Sequence, residues 1–97
     1  MEIEQTHRGF PLCEFVDYND NLCSLQKSSL ATDDAIWLGV NDADPKILAS
    51  KTAAGGTGWV CYPIPEDVSL TTRMHLTREQ VAELLPHLTR FVETGEI

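Results

Sequence analysis

Two hydrophobic periods meet at Thr77. Before it, Leu70, Met74 and Leu76 fall on one side of a strand, with Thr71, Arg73 and His75 on the other. After it, Val81, Leu84, Leu85, Leu88, Phe91 and Val92 recur at helical spacing and make one apolar stripe. A strand with one side to bury, running directly into a helix with a stripe to bury, predicts a sheet with a helix packed on it. The expected class is α+β: an antiparallel sheet of four to five strands and a C-terminal helix over 77–94 on one face.

The junction carries its own start signal. Thr77, Arg78, Glu79 and Gln80 fit a capping box, in which the Thr77 hydroxyl accepts the Gln80 amide hydrogen and the Gln80 side chain reaches back. Pro86 interrupts the pattern, because it removes the hydrogen bond to the Ala82 carbonyl, and it predicts a kink or break near Leu85. The stripe continues beyond it, so both halves are expected on the same sheet. Gly95 is placed to end the helix in left-handed geometry.

Upstream, 1–8 is polar and reads as a loose arm or edge extension. Residues 10–18 read as a strand with Phe10, Leu12, Val16 and Tyr18 on one side and Cys13 and Phe15 on the other. Asn19, Asp20 and Asn21 then form a turn, and 22–28 returns as the second strand of a hairpin. Ile36, Leu38 and Val40 alternate with Trp37 and Gly39 in a short strand that Asp44 and Pro45 close off. Within 46–58, Ile47 and Leu48 anchor a short helix and the Gly-rich remainder is a loop. Trp59 to Tyr62 is a brief strand, and the last strand is expected to begin at Val68. No repeat or linker divides the chain, so 1–97 reads as a single domain.

Seven basic residues against fifteen acidic ones give a formal charge of −8. Sequence-independent binding to nucleic acid needs clustered Lys and Arg, so direct DNA or RNA binding is not expected. The same sign suits docking on a basic protein surface and also simply keeps a protein soluble. Cys13, Cys23 and Cys61 show neither zinc-ligand spacing nor a complete disulfide set, although a Cys13–Cys23 bridge across the hairpin is conceivable. No apolar run reaches the length of a membrane span and the N-terminal residues lack signal-peptide character. A cytoplasmic protein with reduced thiols is therefore expected.

Alternation assigns the functional candidates. If the helix covers the side that holds Leu25, Ile36, Leu38, Leu70, Met74 and Leu76, the other side gathers Ser24, Gln26, Ser28, Trp37, Arg73 and His75. Trp37 offers a ring for stacking, Gly39 beside it leaves room for a guest, Arg73 brings a forked donor for carboxylate or phosphate, and the remaining residues add neutral hydrogen bonds. The simpler alternative is a solvent-facing sheet that carries polar residues, with Arg73 paired to one of the many acids and Trp37 filling a core gap or an oligomer contact.

Catalytic signatures are absent. His75 beside Ser24, Ser28 or a cysteine has no nucleophile elbow around it. Asp33, Asp34, Asp42 and Asp44 do not follow a calcium-loop pattern, and 55–58 lacks the Lys of a phosphate loop. A non-enzymatic protein without a cofactor is expected.

The segments Cys23 to Ser29, Ile36 to Gly39 and Arg73 to Val81 resemble those of small acidic proteins from bacteriophages and prophages. That resemblance spans most of the chain and implies an accessory factor that disables a host function, including bacterial immunity. It assigns no catalytic residue. Three roles follow as expectations: a counter-defence inhibitor that binds a host immune protein in the anti-CRISPR manner, a sponge for a nucleotide immune signal, and a structural module that builds a homo-oligomer.

Overall fold

A computed structural model describes all residues, Met1–Ile97. They fall into two compact units, one of Met1–Asn41 with Arg73–Ile97 and one of Asp42–Thr72. The first contains strands β1 (Glu4–Gln5), β2 (Pro11–Val16), β3 (Leu22–Lys27), β4 (Ala35–Val40) and β7 (Arg73–Thr77), followed by helix α1 (Arg78–Thr94). The second contains β5 (Lys46–Leu48) and β6 (Trp59–Cys61). The expected α+β class holds, with one five-stranded antiparallel sheet and one C-terminal helix.

In the first unit the sheet order β1-β2-β3-β4-β7 is a meander in which every neighbour is antiparallel. The β2–β3 turn is built by Asp17, whose Oδ1 accepts the backbone N–H groups of Asn19 and Asn21, both at 2.9 Å. Asp20 supplies the left-handed residue that reverses the chain, at φ 62°. Residues of the N-terminal arm add the edge strand β1 to β2.

Register partners share a side of a sheet, which fixes the two faces. Cys13, Phe15, Cys23, Leu25, Ile36, Leu38, Val40, Met74 and Leu76 form the apolar side. Leu12 and Val16 pair with Gln26 and Leu22 on the polar side, whereas Cys13 and Phe15 face the apolar one. The sequence grouped residues of β2 correctly but left open which group faces inward; the small thiols of Cys13 and Cys23 take the buried positions. All three cysteines are free.

Thr77 caps α1 as its sequence requires: its hydroxyl accepts from the Gln80 amide at 3.2 Å and its own amide donates to Gln80 Oε1 at 2.9 Å. Gly95 closes the helix at φ 77°. Two expectations need correction. The helix runs unbroken from Arg78 to Thr94 through Pro86, so no break occurs near Leu85; the turn that loses its hydrogen bond to the Ala82 carbonyl lies on an exposed residue. Nor do both halves pack on the sheet, since α1 buries no residue completely and its stripe is half or more exposed at Leu85, Leu88, Phe91 and Val92. Only its first turns border the apolar side. There Val81, Ala82 and Leu85 face Ile36 and Leu76 across a cleft of about 450 Å³.

The second unit corrects two further readings. Lys46 to Leu48 is a strand paired with Trp59 to Cys61 rather than a helix, and a single 3₁₀ turn at Ala49–Lys51 follows it. Ala49 is the buried residue of this hairpin, and its amide donates to the Gly58 carbonyl at 2.8 Å. The last strand begins at Arg73, not Val68. The Val68 amide donates to Pro65 O at 3.0 Å and closes a turn, which takes 65–68 out of any sheet.

Candidate functional site

Six residues singled out by alternation lie on the polar side of the first unit's sheet: Ser24, Gln26 and Ser28 at β3, Trp37 on β4, and Arg73 and His75 on β7. β4 separates β3 from β7, so the outer groups meet only by crossing it. The face of β4 makes that crossing possible because its large residue stands between two small ones, Ala35 and Gly39. Arg73 pairs in register with Gly39, which pairs with Ser24. With no side chain at 39 in the way, the guanidinium reaches β3, and Nη1 donates to Gln26 Oε1 at 2.9 Å and toward Ser24 Oγ at 3.5 Å.

His75 is the register partner of Trp37, and their rings stack with centroids 3.8 Å apart and planes 4° from parallel. Opposed side chains on an antiparallel pair stand close enough for this geometry. His75 Nε2 lies 2.9 Å from Ser28 Oγ. Ser28 donates to Nε2 or accepts from Nε2–H according to the tautomer. The Arg73 Cζ lies 5.5 Å from the centre of the Trp37 ring, a cation–π distance. Trp37 therefore holds both β7 side chains in place.

Two residues that sequence reading passed over extend the network. Ser24, fully buried, donates to Asn41 Oδ1 at 2.7 Å, and Asn41 Nδ2 donates to Glu14 Oε2 at 3.4 Å. Asn41 was findable, because it lies two positions along from Gly39, whereas Glu14 needed the register of β2 against β3, which pairs it with Ser24. The space beside Gly39 needs a different reading from the one the sequence suggested. It is not left open for a guest but is crossed by Arg73.

Arg73 takes part in none of the ion pairs Lys27–Asp34, Lys46–Asp44, Arg78–Asp34 and Arg90–Glu96. Arg8 and Lys51 are also outside them, but both are exposed, whereas Arg73 is half-buried. In a chain of net charge −8 this half-buried guanidinium is held by neutral acceptors and an indole face. Its remaining N–H groups can donate to an anion without first breaking a carboxylate pair. No buried side-chain N or O atom lacks a partner. No three of the His, Cys, Asp and Glu side chains gather to hold a metal ion. No helix is long and apolar enough to cross a membrane.

The chain matches no protein-family model, no curated protein and no solved structure.

Proposed function

We propose that this protein is a non-catalytic phage or prophage counter-defence factor that acts by capture, and that the polar side of its sheet takes an anionic, ring-bearing ligand of the nucleotide immune-signal class. The observation that carries this reading is Arg73: a guanidinium with no carboxylate partner, oriented by Gln26 and lying over Trp37 beside the exposed ring of His75. An anionic group meets the guanidinium and a flat base finds an aromatic edge or face within the same cluster. The resemblance to small phage proteins supplies the biological setting. The proposed role involves no phosphate chemistry: Ser28 Oγ lies 2.9 Å from His75 Nε2, but no carboxylate or carbonyl is bonded to the other ring nitrogen as a hydroxyl–imidazole catalytic pair requires.

A second reading, inhibition of a host immune protein in the anti-CRISPR manner, draws on a different observation. Fifteen acidic residues suit a basic groove on such a partner. The two separate cleanly in experiment. In a thermal-shift series with cyclic di- and trinucleotides, a ligand held at 100-fold over its Kd stabilises by about 2.7 kcal/mol, and Arg73→Ala should abolish the shift. No shift with any nucleotide, together with salt-sensitive binding to a host immune complex, would transfer the function to the acidic surface.

A further inference from the structure

We infer that His75, and not Trp37, is the ring on which the ligand's base stacks, and that the ligand carries two or more phosphates in order to reach Arg73 from there. This rests on the nucleotide reading above and assigns each residue its part of the ligand. The register sets three rows across the polar side. Ser24, Gly39 and Arg73 make one, Gln26, Trp37 and His75 the next, and Ser28, Ala35 and Thr77 the third. Both β7 side chains cross β4 above a small residue. Arg73 passes over Gly39 to Gln26 and Ser24 on one side of Trp37, and His75 leans over Ala35 to Ser28 on the other. Two small residues of the polar side are buried beneath these paths, Ser24 at 2% exposure and Ala35 at 5%.

The indole is therefore sandwiched. His75 covers one face at a centroid separation of 3.8 Å, and the Arg73 Cζ lies 5.5 Å from the ring centre on the other. No flat surface of Trp37 is left for a further ring. His75 differs, because only one face of its imidazole lies against the indole. The other looks over the row of Ser28, Ala35 and Thr77, none of which carries a long side chain, and His75 is exposed where Trp37 is half-buried. Held by Trp37 and by Ser28 at 2.9 Å, the imidazole loses little freedom when a base stacks on it.

The same sandwich selects ligand length. Added through the indole, the two separations place the imidazole and the guanidinium up to about 9 Å apart, and a base in contact with His75 adds about 3.5–4.0 Å. A nucleoside monophosphate has one ribose between base and phosphate and does not pass round the indole edge to Arg73. A dinucleotide or a nucleoside triphosphate does, and places a phosphate on the free N–H groups of the guanidinium.

NMR titration of the intact chain with AMP, ATP and cyclic di-AMP tests both halves. Base protons should move upfield and contact the His75 ring but not the Trp37 indole. ATP or cyclic di-AMP should bind at least about tenfold tighter than AMP, and Arg73→Ala should remove that advantage. His75→Ala should weaken binding about tenfold, whereas His75→Phe, which keeps a flat ring without the Ser28 bond, should restore most of it. Because His75→Ala can also disturb the sheet, the contacts in the wild-type chain decide the stacking partner. Base contacts on the Trp37 indole, or AMP binding as tightly as the longer ligands, overturn the inference and leave the nucleotide reading standing. Absence of binding by every nucleotide overturns both.

Discussion

The two sides of the five-stranded sheet solve opposite problems. On the polar side the long polar and aromatic side chains find partners within the same unit: Arg73 spans β4 to Gln26, His75 stacks on Trp37 and reaches Ser28, and Ser24 donates a hydrogen bond to Asn41. On the apolar side Met74 is more than half exposed, and the helix that should cover its neighbours turns most of its stripe to solvent. Hydrogen bonds are directional and can be closed by residues a strand or two apart, whereas apolar burial needs a second layer. One side is closed by its own hydrogen bonds, and the other leaves apolar surface open within its unit.

That contrast can be broken or sharpened by substitution. The largest effect is expected on the apolar side. Leu38→Ala, on the central strand between Leu25 and Met74, should cost about 2–3 kcal/mol as a core truncation, whereas Leu88→Ala removes a side chain already 55% exposed and should cost well under about 2 kcal/mol. Denaturant titration should give the lower midpoint for the Leu38 variant. Equal losses at the two positions would show that the outer half of α1 is packed as closely as the sheet.

On the polar side, Gly39→Val places a side chain in the path that Arg73 takes to β3 and forces a β-branched residue onto a φ of 151°, so it should cost at least the roughly 1–3 kcal/mol of overpacking. Arg73 should lose its contact with Gln26, and any nucleotide-induced melting shift should vanish. Retention of the shift would show that the crossing does not matter for binding. Smaller still, Arg73→Ala should cost about 0.5–1.5 kcal/mol of stability, because Gln26 and Ser24 retain solvent and Asn41 as alternative partners. Unfolding of that variant would make Arg73 a structural residue.

The smallest effect concerns the β2–β3 turn that joins both sides. Hydrogen bonds from Asn21 backbone and side chain hold the Asp17 carboxyl below its usual 3.8. A depressed carboxylate stabilises the fold above its unfolded pKa, and the contribution is lost as pH falls through the folded value. The turn should therefore loosen in acid below about pH 4 and be unaffected between pH 5 and 8. Amide exchange at Asn19 and Asn21 reads this directly, and Asp17→Asn should remove the acid transition.

Much of the architecture was legible because local rules specify it. Thr77 and Gln80 cap a helix by contacts three residues apart, Gly95 ends it with its own backbone, and Trp37 and Arg73 share a side because strands alternate by two. The misreadings have a common physical origin. Val68 and Leu70 carry strand-like side chains, but the Pro65 carbonyl captures the Val68 amide in a turn. Ile47 and Leu48 favour a helix only until Val60 and Trp59 pair with them.

The chain by itself therefore determined the periods, the caps, the turn at Asn19, Asp20 and Asn21 and the division of β3, β4 and β7 into a polar and an apolar side, since each depends on residues within a few positions. The tertiary structure decided which side chains meet across strands: that Arg73 passes over Gly39 to Gln26, that His75 lies flat on Trp37, and that α1 leaves the sheet after its first turns. Those outcomes depend on register and on the direction a helix takes from its last strand, and both are set by contacts between segments up to 49 residues apart, which no local pattern encodes.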